Sequence, residues 1–142
     1  MSKKYEFTDE TITVNGITLH RIKALIDFDR FGVKAGDLGG FIEVEANLSH
    51  DGDAWVYGNA KISGNAKIKR SNDYACVNGF GPVYKNTTFF RCEDDLIRAQ
   101  CGGFYGTIDE FRAKVKETHG DSKYAKEYLM IADLMEYHFA ED

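Results

Sequence analysis

Three consecutive hexapeptides, Gly52-Asp53-Ala54-Trp55-Val56-Tyr57, Gly58-Asn59-Ala60-Lys61-Ile62-Ser63 and Gly64-Asn65-Ala66-Lys67-Ile68-Lys69, obey one rule: Gly-[Asp/Asn]-Ala-x-[Val/Ile]-x. A period this short leaves few options. Each hexapeptide makes one short flat strand and one corner. The aliphatic residue points inward, the alanine fits the tight interior, and Gly-Asn or Gly-Asp takes the strained backbone of the corner. Three such sides close a triangular coil, the pattern of a left-handed parallel β-helix. An ordinary β-meander that happens to repeat is the alternative. Val44-Glu45-Ala46-Asn47-Leu48 reads as a degenerate earlier copy, offset by two residues. At most two coils fit, from about Gly36 to Lys69. A coil needs neighbours for its backbone groups and becomes stable only when stacked. One end is therefore to be capped by the hairpin that precedes it. The other is to be covered by the C-terminal module or by another chain, which makes a homo-oligomer the expected state.

The flanking segments read as ordinary hairpins and helices. Ile12 and Val14 alternate before Asn15-Gly16, and Ile17 and Leu19 alternate after it. Asn-Gly between alternating runs is a hairpin signal, because both turn residues must take positive φ. Residues 32–40 read as a turn-rich passage. Thr87–Arg91 and Leu96–Gln100 form a second hairpin about Cys92-Glu93-Asp94-Asp95. Thr107-Ile108-Asp109-Glu110 is a capping box that opens a helix with Ile108, Phe111 and Val115 as its apolar stripe. Gly120 stops it, and Asp121 or Ser122 starts a second helix carrying Tyr124, Tyr128, Ile131 and Met135 at helical spacing, widened by Leu134 and Phe139. The expected fold class is mainly β with C-terminal helices. Residues 1–70 form a β-hairpin and a short left-handed parallel β-helix; residues 71–142 form a β-hairpin plus a two-helix hairpin.

Composition closes off several functions. Among the 142 residues, 43% are hydrophobic, enough for a core, and no run approaches the roughly 20 apolar residues of a membrane helix. The start, Met1-Ser2-Lys3-Lys4-Tyr5-Glu6, lacks the apolar core of a signal peptide, so a cytoplasmic location is expected. Residues 1–70 hold 10 basic and 10 acidic groups, and residues 71–142 hold 8 and 13, so the second half carries the whole net charge of −5. Duplex nucleic acid needs a basic face, and neither half offers one. Cys76, Cys92 and Cys101 form no C-x-x-C pair and read as reduced, packed thiols, with no metal and no cofactor expected.

The candidate chemistry lies in the second half. Gly102-Gly103-x-x-Gly106 sits between a strand and a helix start, a geometry that can cradle phosphate. Asp109 and Glu110 put negative charge on that same turn, so a tight connection is the better reading. Arg91, Arg98, Arg112 and Lys116, with Phe89 or Phe90 as a stacking ring, are the residue types a nucleotide-like ligand requires. Arg112 and Lys116 are neighbours four apart on the first helix, and Arg112 borders the buried stripe. The competing reading is core phenylalanines and surface arginines answering local acids. His50, in the corner before the perfect repeats, is the residue that an acyltransferase reading would use as general base.

Val33-Lys34-Ala35-Gly36-Asp37-Leu38-Gly39-Gly40 followed by Gly-Asn-Ala hexapeptides resembles phage and prophage proteins with a left-handed β-helix. Thr87-Thr88-Phe89-Phe90 and Cys101-Gly102-Gly103-Phe104-Tyr105-Gly106-Thr107-Ile108-Asp109-Glu110-Phe111 are similar to the C-terminal module of the same proteins. In layout, the hairpin plus two helices is also similar to the phage anti-Thoeris sponge family, which oligomerises and sequesters cyclic ADP-ribose isomers. That second resemblance implies Phe89 or Phe90 on an adenine and Arg112 with Lys116 on phosphates. A lysine at 116 stands where arginine would clamp more strongly. The expected function is thus a phage-type counter-defence protein, acting in the host cytoplasm, that sequesters a small anionic nucleotide signal without cleaving it. An inhibitor or assembly module directed at a host protein is the alternative, and a hexapeptide acyltransferase the second.

Overall fold

The computed structural model describes residues 3–83 and 85–140, so Met1 and Ser2 of the N-terminal stretch, and Glu141 and Asp142 of the acidic count, lie outside it. Two four-stranded sheets and a helical hairpin follow one another along the chain. The first sheet contains β1 (Tyr5–Val14), β2 (Ile17–Ala24), β3 (Leu38–Ile42) and β4 (Lys61–Ile62), in that order. The second is a meander of β5 (Tyr74–Phe80), β6 (Lys85–Arg91), β7 (Ile97–Cys101) and β8 (Phe104–Thr107). Helices α1 (Ile108–His119) and α2 (Lys123–Phe139) complete the chain.

The expected local signals are present. Asn15 and Gly16 have φ of 52° and 80°, the primed turn that matches strand twist, and Val14 pairs with Ile17 across it. Thr107 Oγ1 accepts from the Glu110 N–H at 3.2 Å while Glu110 Oε1 accepts from the Thr107 N–H at 2.8 Å, so the capping box closes in both directions. Ser122 caps α2 by accepting from the Ala125 N–H.

The hexapeptides behave locally as their pattern requires. Ala54, Ala60 and Ala66 are buried, as are Val56, Ile62 and Ile68, and the corner glycines Gly52, Gly58 and Gly64 all have positive φ. The expected left-handed β-helix is a different matter, because the two sheets are not those of a solenoid. Most of their pairing is antiparallel. Among the described residues, parallel pairing is confined to Phe41 with Lys61, Ile42 with Ile62, and a single bridge from Leu48 to Ile68. The physical reason is length. Two short turns offer too few rungs to make sheets of their own, so β3 takes β2 as a neighbour and Ala66 takes Cys92.

The core comes in two parts. Tyr5, Ile22, Ile42, Leu48, Trp55, Val56, Ile62 and Ile68 form the first, and Tyr74 and Phe90 from the second sheet, with Cys92 just after β6, join it. Phe89, Ala99, Phe111, Val115, Tyr128, Ile131 and Met135 belong to the second, between that sheet and the helices. The second sheet thus separates the two cores. It also covers the end of the repeat: Ala66 bridges to Cys92, and the Lys67 N–H donates to the Arg91 carbonyl at 2.9 Å. Buried Asn47 ties the two repeat turns together. Its Oδ1 accepts from the Glu43 and Val44 N–H groups, and its Nδ2 donates to the carbonyls of Gly64 and Ala66.

Candidate ligand-binding site

The residues singled out from the sequence are not gathered in one cleft. Phe89 and Phe90 are both fully buried, one in each core, so neither presents a ring face for stacking. Arg91 donates through Nε to Asp73 Oδ1 at 3.2 Å and through NH2 to the Phe139 carbonyl at 2.8 Å, which fastens the end of α2 to the 3-10 turn before β5. Arg98 makes a bidentate pair with Asp94 at 3.0 and 2.9 Å and reaches Asn65 Oδ1. Arg112 is held by three carboxylates: Asp109 at 3.1 Å on its own helix, and Asp133 at 2.8 Å and Glu136 at 3.2 Å on α2. The Asp133 hydrogen bond leads in raising the guanidinium pKa. One cation among three anions leaves this spot net negative and unsuited to a phosphate. Lys116 is exposed and does not line the cavity beside α1.

His50 is committed to structure. Its Nδ1 accepts the backbone N–H of Lys4 at 3.2 Å, so the ring proton sits on Nε2, which lies 3.0 Å from Glu45 Oε1. Its ring stacks on Tyr5 at 4.1 Å. Neither nitrogen keeps a free lone pair for a substrate proton, so this arrangement does not supply the base an acyltransferase needs. Among the described residues no group of three His, Cys, Asp or Glu side chains is placed to hold a metal.

A cavity of about 530 Å³ lies elsewhere, on the face of α1 away from Arg112. Phe104, Phe111, Val115 and Tyr128 give it apolar walls, and Lys85, Lys114 and His119 supply polar groups around them. The second sheet and α1 build it together. Gly102-Gly103 turns β7 into β8, which sends Phe104 under α1, and the β5–β6 turn brings Pro82 and Val83 to the opposite side. The Tyr128 hydroxyl donates to the Phe80 carbonyl at 3.3 Å, and burial pushes its pKa up to about 12, so the phenol stays neutral there. His119, in the last turn of α1, lies against the Tyr128 ring at 5.8 Å. Lys114 is 3.7 Å from Glu117, and both are largely exposed. Lys85 makes no ion pair among the described residues. A volume in this range, apolar walls and a few polar groups at the edge are the features of a small-molecule site.

Sequence reasoning missed Lys85, Lys114 and His119. At about 100° per residue, Lys114 and Arg112 flank the Phe111–Val115 stripe on opposite sides. Position in the helix alone gives no preference between them; the packing of α2, with Asp133 and Glu136, decides.

The chain matches no family model, no curated protein and no solved structure.

Proposed function

We propose that this chain is a binding protein that holds a small anionic, nucleotide-like ligand in the cavity beside α1 and releases it unchanged. The observation that carries the reading is the cavity itself: apolar and aromatic walls with Lys85, Lys114 and His119 at its edge, in a chain whose net charge is −5. A flat, partly apolar ligand gains from the walls, and an anionic group gains from the lysines. Resemblance to the phage sponge proteins makes cyclic ADP-ribose isomers and cyclic nucleotides the first ligands to try. It also makes sequestration of a host defence signal in the cytoplasm the role. Calorimetry against these ligands tests it, followed by chromatography of what is released. Tight binding and an intact ligand are expected; no heat with any of them, or a cleaved product, overturns the reading.

The short left-handed coil belongs to the same reading. Its support is the repeated 20-residue parallel offset, seen from Phe41 to Lys61 and from Leu48 to Ile68, which is the 18 residues of three hexapeptides plus the two-residue offset before Gly52.

Self-association is the second part of the proposal, and the outer face of α2 favours it. Met130, Leu134 and Tyr137 fall at i, i+4 and i+7 and are 65%, 57% and 83% exposed. A second copy of α2 laid along this face covers the apolar stripe.

A further inference from the structure

Lys85 lines a second cavity as well. This one, of about 320 Å³, lies between the β1–β2 turn and the second sheet, lined by Thr13, Val14, Asn15, Lys61, Lys85, Asn86 and Gly102. It lacks the aromatic walls of the cavity beside α1 and contains two lysines, two asparagines and no carboxylate. Lys61 sits at the start of β4, where its backbone N–H donates to Thr88 Oγ1 at 3.1 Å and locks that strand to β6. Its ammonium has a 3.4 Å hydrogen bond to the Asn59 carbonyl, and no acid pairs with it among the described residues. Burial lowers its pKa, and no carboxylate counters this. Lys85 lies across the β7–β8 turn, its Nζ 2.5 Å from where a Cβ of residue 102 would stand. The hairpin tip closes the other side, with Asn15 Oδ1 facing Gly103. Lys85 and the Gly102-Gly103 turn are therefore the wall common to both cavities.

We propose that the cavity built on Lys61 and Lys85 is a phosphate subsite, and that the ligand is a phosphorylated nucleoside-like molecule spanning Lys85, with its base in the cavity beside α1 and a phosphate or pyrophosphate group between the two lysines. This rests on the binding role proposed above. Two ammonium groups without a carboxylate between them are an incomplete charge set in a partly enclosed space, and a phosphate completes it. Lysine binds phosphate as a point charge and needs no planar fork. The neutral amides of Asn15 and Asn86 add no competing charge.

The test compares adenosine, ADP-ribose and sodium pyrophosphate on the full chain and on Lys61→Gln, by calorimetry and by backbone amide NMR. ADP-ribose is expected to bind about ten- to a hundredfold tighter than adenosine, the range for charge-assisted hydrogen bonds. Lys61→Gln collapses that gap and leaves adenosine affinity unchanged. Pyrophosphate alone shifts the amides of Lys61 and Lys85. If adenosine and ADP-ribose bind equally and both shift Phe104 and Val115, the phosphate subsite is wrong while the cavity stands. If ADP-ribose binds tighter and Lys61→Gln leaves the gap intact, the subsite is also wrong. If neither adenosine nor ADP-ribose shifts Phe104 or Val115, the cavity reading falls and the spanning ligand with it. Amide dispersion of Lys61→Gln matching the parent confirms that the fold is retained.

Discussion

Phe89 and Phe90 are consecutive on β6, both fully buried, and belong to different cores. Strand side chains alternate, so one ring goes to each face of the sheet. On Phe90's side, Thr88 accepts from the Lys61 N–H at 3.1 Å and donates to Asn86 Oδ1 at 2.6 Å. On Phe89's side, Thr87 donates to Cys101 Sγ at 3.1 Å. β6 is thus a partition, and its buried hydroxyls persist because each has a partner. Truncation of either ring is expected to cost about 3–5 kcal/mol. The two variants should differ in what they disturb. Trp55 lies in the first core, so Phe90→Ala changes tryptophan fluorescence in the folded state and Phe89→Ala does not. Equal fluorescence changes in both would mean that the cores are not separated by this strand.

Asp73 makes stability depend on acid. Its side chain is 3% exposed, and burial alone would raise its pKa. The Lys69 and Arg70 N–H groups and the Arg91 guanidinium outweigh burial and hold the carboxyl below its ordinary 3.8. A folded-state pKa depressed in this way contributes stability that is fully present above the unfolded value and is lost as pH falls through the folded one. Urea midpoints should therefore be steady with respect to this group above about pH 5 and decline below pH 4. Asp73→Asn keeps an acceptor for the two N–H groups but turns an amide towards Arg91. It should cost roughly 1.5–3 kcal/mol at pH 7, with a flatter acid limb. An unchanged acid limb in that variant would assign the pH dependence to other carboxylates.

Arg112 and Lys114 lie on opposite sides of one helical stripe and should separate stability from binding. Arg112→Ala leaves Asp109, Asp133 and Glu136 without their common cation and is expected to cost about 1 kcal/mol, small because the acids are largely exposed. Its effect on ligand affinity should be under about twofold, since it faces away from the cavity. Lys114→Ala should do the reverse, weakening binding of an anionic ligand by about three- to tenfold with stability unchanged. Chemical denaturation and calorimetry on the two variants check this. A large binding loss in Arg112→Ala would move the site to the α1–α2 seam.

His50 gives a stability test of a residue whose corner position invites a catalytic reading. Removal of its ring leaves the Lys4 N–H without an acceptor and bares the Tyr5 face. His50→Ala should cost about 1–3 kcal/mol in urea denaturation. No loss would show that the ring is dispensable to the fold.

Local signals survived into the structure where they were self-contained. The Asn15-Gly16 turn, the Thr107–Glu110 box and the Gly120 stop each depend on a few adjacent residues, and each formed where the sequence placed it. What stayed hidden depends on contacts between distant segments. β3 runs through Gly39-Gly40, which reads as a turn. Those glycines are there because a Cβ at 39 would lie 2.6 Å from the Val56 carbonyl oxygen, a contact with a segment 17 positions away. β8 reads as part of a Gly-rich connection for a similar reason: its four residues are defined by pairing with β7. The basic cluster illustrates the same limit for the site. Arg91, Arg98 and Arg112 have the right chemistry for a phosphate, but their acids come from Asp73, Asp94, Asp133 and Glu136, and pattern does not say which charges meet. Lys61 escaped notice because it fills a variable position of the repeat, where any exposed residue would serve.

The face of α2 gives the prediction on assembly. Met130, Leu134 and Tyr137 form a narrow apolar stripe on a 17-residue helix, about 25 Å long. One helix face buries little area, so the dimer should be weak, with a dissociation constant of about micromolar order. Light scattering at tens of micromolar chain is expected to give about twice the 16.0 kDa mass of one chain. Leu134→Asp should return it to one chain mass without unfolding it, since that side chain is already exposed. A single-chain mass for the parent protein at these concentrations would remove the second copy from α2. A dimer that survives Leu134→Asp would place the interface on another face of the molecule.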